Sequence, residues 1–148
     1  MFERIVAAID SDTDRAILVV RAAQEIGERF GSKVLIVHVR DVERSAVMVA
    51  AAGRPGAIPP ALHFETEERE RELVDSAVRS LGNAGVNAEG KVGRGDGSTA
   101  RELLDIAHAF NANLIVVGDR DSHVTDFILG GVAHRVVHLA DCPVLLVR

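Results

Sequence analysis

Short apolar segments alternate with longer amphipathic segments along almost the whole chain. Segments that are apolar throughout and only four to seven residues long are typical of strands covered on both faces of a parallel sheet. Four such segments occur, at residues 4–9, 33–39, 114–117 and 143–147. A fifth segment, at residues 86–92, alternates only weakly between apolar and polar positions, which indicates an edge strand.

The intervals between these strands carry the periodicity of amphipathic helices. Ser11 with Asp14, and Thr99 with Glu102, have the spacing of a capping box and predict where the first and third helices begin. Gly31 is expected to end the first helix. The second helix begins with a strongly charged run, residues 65–73, which we interpret as a solvated face without a function.

Strict alternation of strands and helices predicts an α/β fold with a parallel sheet and right-handed crossovers. The 148 residues are enough for one domain, so we expect a single domain over residues 1–148. Residues 41–64, rich in Ala, Gly and Pro, break the pattern and predict a long, flexible loop.

Composition excludes several classes of partner. The formal net charge is −5 and no basic cluster is present, so we expect no binding to nucleic acid. Cys142 is the only cysteine, so no intrachain disulfide can form. No segment is apolar enough for a signal peptide or a membrane span, and we therefore expect a soluble, cytoplasmic protein.

A ligand site is predicted at the carboxyl ends of the first and fourth strands. Ligands of open parallel sheets bind where the strand order reverses. Asp10 follows the first strand and Gly118 follows the fourth, so both would face one crevice if these strands are neighbours. Val39, at the end of the second strand, would form the far wall of this crevice.

The glycine pair at residues 130–131 predicts where the last helix begins. Glycine inside a helix costs about 1 kcal/mol relative to alanine, so a helix that starts at Gly130–Gly131 is more favourable than one that includes them. The free N–H groups of Gly131 and Val132 would then point into the crevice, together with the positive end of the helix dipole.

Four segments give the sequence a resemblance to the universal stress proteins: "IVAAID", "VLIVHVRD", "ANLIVVGDR" and "LGGVAHRVVHLADCPVLLVR". The resemblance covers essentially the whole chain. It implies a three-layer sandwich with a five-stranded parallel sheet in the order 3-2-1-4-5 and helices on both faces, a Rossmann-like fold of the adenine nucleotide alpha hydrolase-like kind. It also implies a homodimer that pairs through the last strand.

One branch of this family binds ATP through Gly-x-x-Gly, a nine-residue spacer, and Gly followed by Ser or Thr. The resemblance matches Gly118 to the first of these glycines and Gly130 to the last. It matches Asp10 to an acidic residue near the nucleoside and Val39 to the backbone that meets the adenine.

The sequence departs from the ATP motif in ways that weaken a phosphate site. Asp121 stands in place of the second glycine, the loop is one residue shorter, and Gly131 replaces the Ser or Thr hydroxyl. Asp119 and Asp121 also bring negative charge close to a triphosphate, which Arg120, His123 or a bound Mg²⁺ would offset only in part.

We therefore expect a non-catalytic stress-response module with a degenerate nucleotide site. The alternative is an ATP-binding protein, able to hydrolyse ATP slowly, that acts as a nucleotide-dependent switch. A receiver domain is excluded because no acidic residue ends the third strand, and a dinucleotide dehydrogenase because Gly-x-Gly-x-x-Gly does not follow the first strand.

Three further motifs have structural interpretations. His134 and His138 have a usable metal spacing, but no third ligand accompanies them, so we expect no metal site and assign His138 to the helix C-terminus. His38, in a buried strand, is interpreted as a hydrogen-bonded core histidine. Cys142 is interpreted as a buried or half-buried spacer before Pro143, and "GRGDGST" at residues 93–99 as a turn that precedes a helix.

Overall fold

Five parallel strands form one sheet in the computed structural model, which describes residues 1–40, 67–95, 97–119 and 131–148. Their order is β3-β2-β1-β4-β5, as the resemblance implied. Neighbouring strands are in parallel register throughout. The strands are β1 (Arg4–Ile9), β2 (Lys33–His38), β3 (Asn87–Val92), β4 (Leu114–Gly118) and β5 (Val144–Val147).

Helices cover both faces of this sheet and divide the apolar interior in two. The helices are α1 (Thr13–Phe30), α2 (Glu67–Asn83), α3 (Thr99–Ala109) and α4 (Val132–Leu139). One apolar cluster packs α1 and α2 on the first face, and a second packs α3 and α4 on the other. Since successive side chains of a strand point to opposite faces, neighbours such as Val6 and Ala7 belong to different clusters.

Strand burial follows position in the sheet. The central strand β1 and its neighbours β2 and β4 are almost wholly buried, which explains their continuous apolar composition. The strand β3 is largely exposed, and its predicted place at an edge is confirmed. The opposite edge, β5, is half-buried, with Leu146 exposed.

Two helix starts differ from the predicted capping boxes by one residue. Asp12, not Ser11, caps α1, because its Oδ1 accepts a hydrogen bond of 3.1 Å from the Arg15 N–H. Ser98 precedes α3 and makes no side-chain cap, while the Glu102 carboxylate instead accepts bonds from the N–H groups of Arg94 and Gly95. Gly31 ends α1 in the left-handed conformation, as predicted.

The predicted loop at residues 41–64 lies outside the described residues. None of the helices in the described part of the chain has the length and apolar character needed to cross a membrane.

Candidate functional site

The predicted crevice would lie at the carboxyl ends of β1 and β4. These strands are hydrogen-bonded neighbours, and Ala8 pairs with Val117, so Asp10 and Gly118 lie at the same edge of the sheet. From this edge the chain continues from β1 into α1 on one face, while α4, which follows β4, packs on the other. The predicted reversal of strand order between β1 and β4 is confirmed.

Arg15 lies at this edge of the sheet, against Asp10 and Gly118. Its Nε and Nη2 atoms each lie 2.8 Å from Asp10 Oδ2, and Nη2 is also 3.1 Å from Asp12 Oδ2. The Asp12 N–H donates to Asp10 Oδ1 at 3.1 Å, which ties the turn together. The Arg15 side chain is only 17% exposed, so a well-shielded guanidinium bridges two carboxylates.

Gly118 contacts the same arginine side chain. A Cβ atom added at Gly118 would lie 2.6 Å from Arg15 Cδ and closer still to Arg15 Cγ. The absence of a side chain at Gly118 therefore allows Arg15 to cross the end of β4 and reach Asp10. Sequence reasoning missed Arg15, although its place three residues after Asp12 in the first turn of a helix was a usable signal.

The negative charge of Asp119 is compensated at the far side of β4. Its carboxylate Oδ2 lies 3.0 Å from both Nε and Nη2 of Arg148. Its N–H donates to the Val147 carbonyl at 2.8 Å, which extends the pairing of β4 with β5. Asp119 is therefore less repulsive to an anion than the sequence alone suggested, whereas Asp12 is an additional carboxylate that it did not indicate.

Val39, the predicted far wall of the crevice, lies directly after β2. It is nearly buried on the face covered by α3. A Cβ at Gly93 would lie 2.8 Å from both Val39 Cγ2 and Glu102 Oε1, so these two side chains pack over the glycine. The Gly93 N–H donates to the His38 carbonyl at 2.7 Å and fixes the main chain just before Val39.

The last helix begins where the glycine pair predicted. Gly131 is the N-cap of α4 and makes no side-chain cap, and Val132 is the first helical residue. Because the chain must return from the carboxyl end of β4 to the amino end of β5, the N-terminus of α4 faces the crevice edge of the sheet. Two other predicted site residues, Arg120 and Gly130, lie outside the described residues, as do Asp121 and His123.

The charged start of α2 is not uniformly solvated, and the prediction for this segment was wrong at one position. Glu70 is 2% exposed and lies next to His38, which is equally buried. His38 Nδ1 lies 3.0 Å from the Ile9 carbonyl oxygen, which confirms the predicted core histidine. The buried carboxylate was missed because it stands within a run of exposed acidic residues.

The remaining candidates lie in α4 and just before β5. His134 and His138 contact each other, with 3.2 Å between their Nε2 atoms, and His138 lies in the last turn of α4. Cys142 is half-buried, and burial, followed by the nearby Asp141 charge, raises the pKa of its thiol. Among the described residues, no three His, Cys, Asp or Glu side chains are grouped to hold a metal ion.

A parallel sheet of this order, covered by helices on both faces and open at the reversal point, has the adenine nucleotide alpha hydrolase-like fold. Comparison with known proteins is more specific. The model of the universal stress protein family matches residues 1–148. The chain belongs to the universal stress protein family.

Individual relatives align over nearly their whole length. The chain is 32% identical to the universal stress protein YxiE of Bacillus subtilis, with 100% of both chains covered. A universal stress protein of Archaeoglobus fulgidus has 27% identity and a TM-score of 0.71, again over 100% of both chains. A structure from the same organism, in complex with dAMP, has 26% identity and a TM-score of 0.67, covering 100% of this chain and 98% of that chain.

Proposed function

We propose that this protein is a non-catalytic stress-response module whose crevice retains the nucleoside end of a nucleotide site and has lost the triphosphate end. The preferred ligand is an adenine nucleoside monophosphate rather than ATP. The observation that carries this proposal is Arg15, which lies across Gly118 and is held by both Asp10 and Asp12.

The charges around the crevice favour a ligand with few negative charges. Among the described residues the site contains three carboxylates and two guanidinium groups, so negative charge is in excess. The carboxylates are Asp10, Asp12 and Asp119, and the guanidinium groups belong to Arg15 and Arg148. If Arg15 turned towards a phosphate, its guanidinium would give up its contacts with both Asp10 and Asp12. Two like charges 4 Å apart repel by about 1 kcal/mol in water and about 4 kcal/mol near a protein surface, so each added phosphate charge increases the cost.

The part of the site around Asp10 and Val39 has groups that can contact the sugar and the base of a nucleoside. Among the described residues, Asp10 Oδ1 accepts one bond, from the Asp12 N–H, while Oδ2 faces both Nε and Nη2 of Arg15, which leaves a lone pair on Oδ1 for a hydroxyl donor. Val39 offers an apolar wall and its main chain to a base. The relative whose structure contains dAMP, a nucleoside monophosphate, supports this class of ligand.

The raised pKa of the single cysteine thiol supports the proposal that the protein is not a catalyst. The Cys142 pKa is raised by burial, so the nucleophilic thiolate is disfavoured at neutral pH. The described residues also offer no nucleophile paired with a positioned general base around Asp10. We propose a cytoplasmic location, which suits a chain with a single cysteine.

A second candidate, an ATP-binding switch able to hydrolyse ATP slowly with Mg²⁺, is favoured by one feature. The helix α4 begins at Val132 after Gly131, which carries no side chain, so phosphate could approach the free N–H groups closely.

Calorimetric titration separates the two candidates. We expect AMP to bind more tightly than Mg-ATP, and Asp10→Asn to weaken AMP binding while Asp14→Asn, in the first turn of α1, leaves it unchanged. Saturable Mg-ATP binding tighter than that of AMP would favour the switch. Mass spectrometry of nucleotide released from the denatured protein checks which ligand is carried from the cell, and binding of neither nucleotide would overturn both candidates.

We also propose a two-fold homodimer through residues 143–148. The carbonyls of Pro143 and Val147 accept bonds from Ile115 and Asp119 of the neighbouring chain segment, so alternation directs the Leu146 N–H and carbonyl away from β4. This edge is apolar and unpaired within the described chain. An exposed apolar edge is a pairing liability unless another strand covers it.

A further inference from the structure

The buried carboxylate of Glu70 stands apart from the other acidic residues of α2. Arg40 engages it with two parallel bonds, 2.7 Å from Nε to Oε1 and 2.9 Å from Nη2 to Oε2. A buried carboxylate costs several kcal/mol unless it is paired and hydrogen-bonded, and this fork supplies both. A helix that needed only a solvated face would have no use for an acid at this position.

His38 lies on the other side of the same carboxylate. Because a carbonyl oxygen only accepts, the Nδ1 atom of His38 carries the proton in its 3.0 Å contact with Ile9. The second ring nitrogen, Nε2, is 3.9 Å from Glu70 Oε1. The imidazole therefore lies between the end of β1 and the buried carboxylate of α2.

Val39 lies in the chain between His38, which is close to Glu70, and Arg40, which is bonded to it. In extended chain, alternate side chains point to the same side, so His38 and Arg40 face Glu70 while Val39 faces the α3 side. The main chain here has two further attachments: the His38 carbonyl accepts from the Gly93 N–H, and the Arg40 carbonyl accepts from Thr99 Oγ1 at 3.3 Å.

We propose that Glu70 is a positioning residue for the base of the bound nucleotide. By holding Arg40 through two bonds, with the His38 ring packed beside it, Glu70 fixes the main chain of Val39, the wall against which the base packs. This role rests on the nucleoside site proposed above. It predicts that Glu70 sets the preference for adenine over other bases, whereas Asp10 sets the affinity for nucleosides of any base.

The substitution Glu70→Gln tests this role with little change in volume. The amide cannot accept both arms of the Arg40 fork and carries no charge, so Arg40 loses one of its two bonds and the buried negative charge. We expect AMP affinity to fall about 3- to 10-fold and the preference for AMP over CMP to fall with it. Glu72→Gln is the matched control, because Glu72 lies on the same helix, is exposed, and pairs only at the surface with Arg79.

A measurement without ligand complements the titrations. Hydrogen exchange of the free protein should accelerate at residues 38–40 in Glu70→Gln, but not in Glu72→Gln and not at the centre of β4. If Glu70→Gln does not fold, Arg40→Lys keeps the positive charge, loses the fork, and is expected to shift both readouts in the same direction.

The outcomes distinguish this role from the proposed function. Wild-type binding of AMP with an unchanged base preference in Glu70→Gln would overturn the positioning role alone. Failure of the wild type to bind any nucleotide would overturn the proposed function and this role together, and faster exchange at residues 38–40 would then identify a purely structural clamp. Loss of base preference in Glu70→Gln, with Glu72→Gln unchanged, supports the role.

Discussion

The substitution Gly118→Ala tests how the crevice is packed. An added Cβ would lie 2.6 Å from Arg15 Cδ, well inside van der Waals contact. The Arg15 side chain must therefore leave its place, and it then gives up its bonds to Asp10 and Asp12. The effect on stability is the sum of the steric cost, the lost ion pairs of Arg15, and the lower backbone freedom of alanine in the unfolded chain.

We expect Gly118→Ala to lower the free energy of unfolding by about 1 to 2 kcal/mol. Overpacking costs about 1–3 kcal/mol, and the lower half applies because a long arginine can rotate away. Loss of the partly exposed ion pairs adds at most about 1 kcal/mol. Alanine offsets about 0.5–1 kcal/mol of this, since glycine weakens a strand through its greater freedom in the unfolded chain.

The same substitution in an Arg15→Ala background should no longer be destabilising. The added Cβ then meets Val19 Cγ2 at 3.4 Å, an ordinary contact, so Gly118→Ala becomes neutral or stabilising by about 0.5 kcal/mol. Urea unfolding followed by circular dichroism is the assay, because the chain has no Trp or Tyr for fluorescence.

Gly82→Ala is the control for this cycle. A Cβ at Gly82, in α2, meets open space, so we expect a gain of about 0.5–1 kcal/mol in both backgrounds. If Gly118→Ala is equally costly with and without Arg15, the packing of Arg15 across the end of β4 is wrong.

Three further predictions concern the termini and the thiol. The bond from the Met1 ammonium, with further bonds from the backbone and Asn113, lowers the pKa of Glu3 from 4.5 to about 2. The stabilising effect of the ionised Glu3 should therefore be present above pH 4.5 and lost as the pH falls towards 2. NMR titration should show this, and a Glu3 pKa unchanged by N-terminal acetylation would contradict it. Cys142 should react with iodoacetamide at pH 8 at least about five-fold more slowly than in the urea-unfolded chain, and equal rates would contradict its raised pKa. Leu146→Pro removes an outward N–H and should convert the dimer to monomer in sedimentation, whereas Leu146→Ala keeps the dimer; a wild-type monomer would disprove the interface.

The sheet was predictable because its strands have continuous apolar composition and its helices a clear period. The order of strands came from the resemblance, since periodicity alone does not say which strands are neighbours. Asp10, Gly118 and Val39 could be placed at one edge from topology, because parallel strands end on the same side.

The electrostatic details were not predictable in the same way. Nothing in the local pattern distinguishes Glu70 from the exposed acids beside it, because its burial depends on Arg40, which is 30 residues away. Asp119 counted as a repulsive charge in the sequence, but its partner Arg148 directly follows the neighbouring strand β5. The partners of these charged side chains are set by tertiary contacts, so they cannot be predicted from a local run of acidic residues.

The sheet divides the apolar interior into two clusters, one on each face, and this division determines how core substitutions combine. A void opened at Val74 on one side and another at Leu103 on the other cannot merge, so their destabilising effects should simply add. The packing of one cluster can therefore weaken while that of the other is unchanged. A small molecule bound beside Asp10, at the end of β1, would stabilise both clusters at once, because β1 contributes side chains to each.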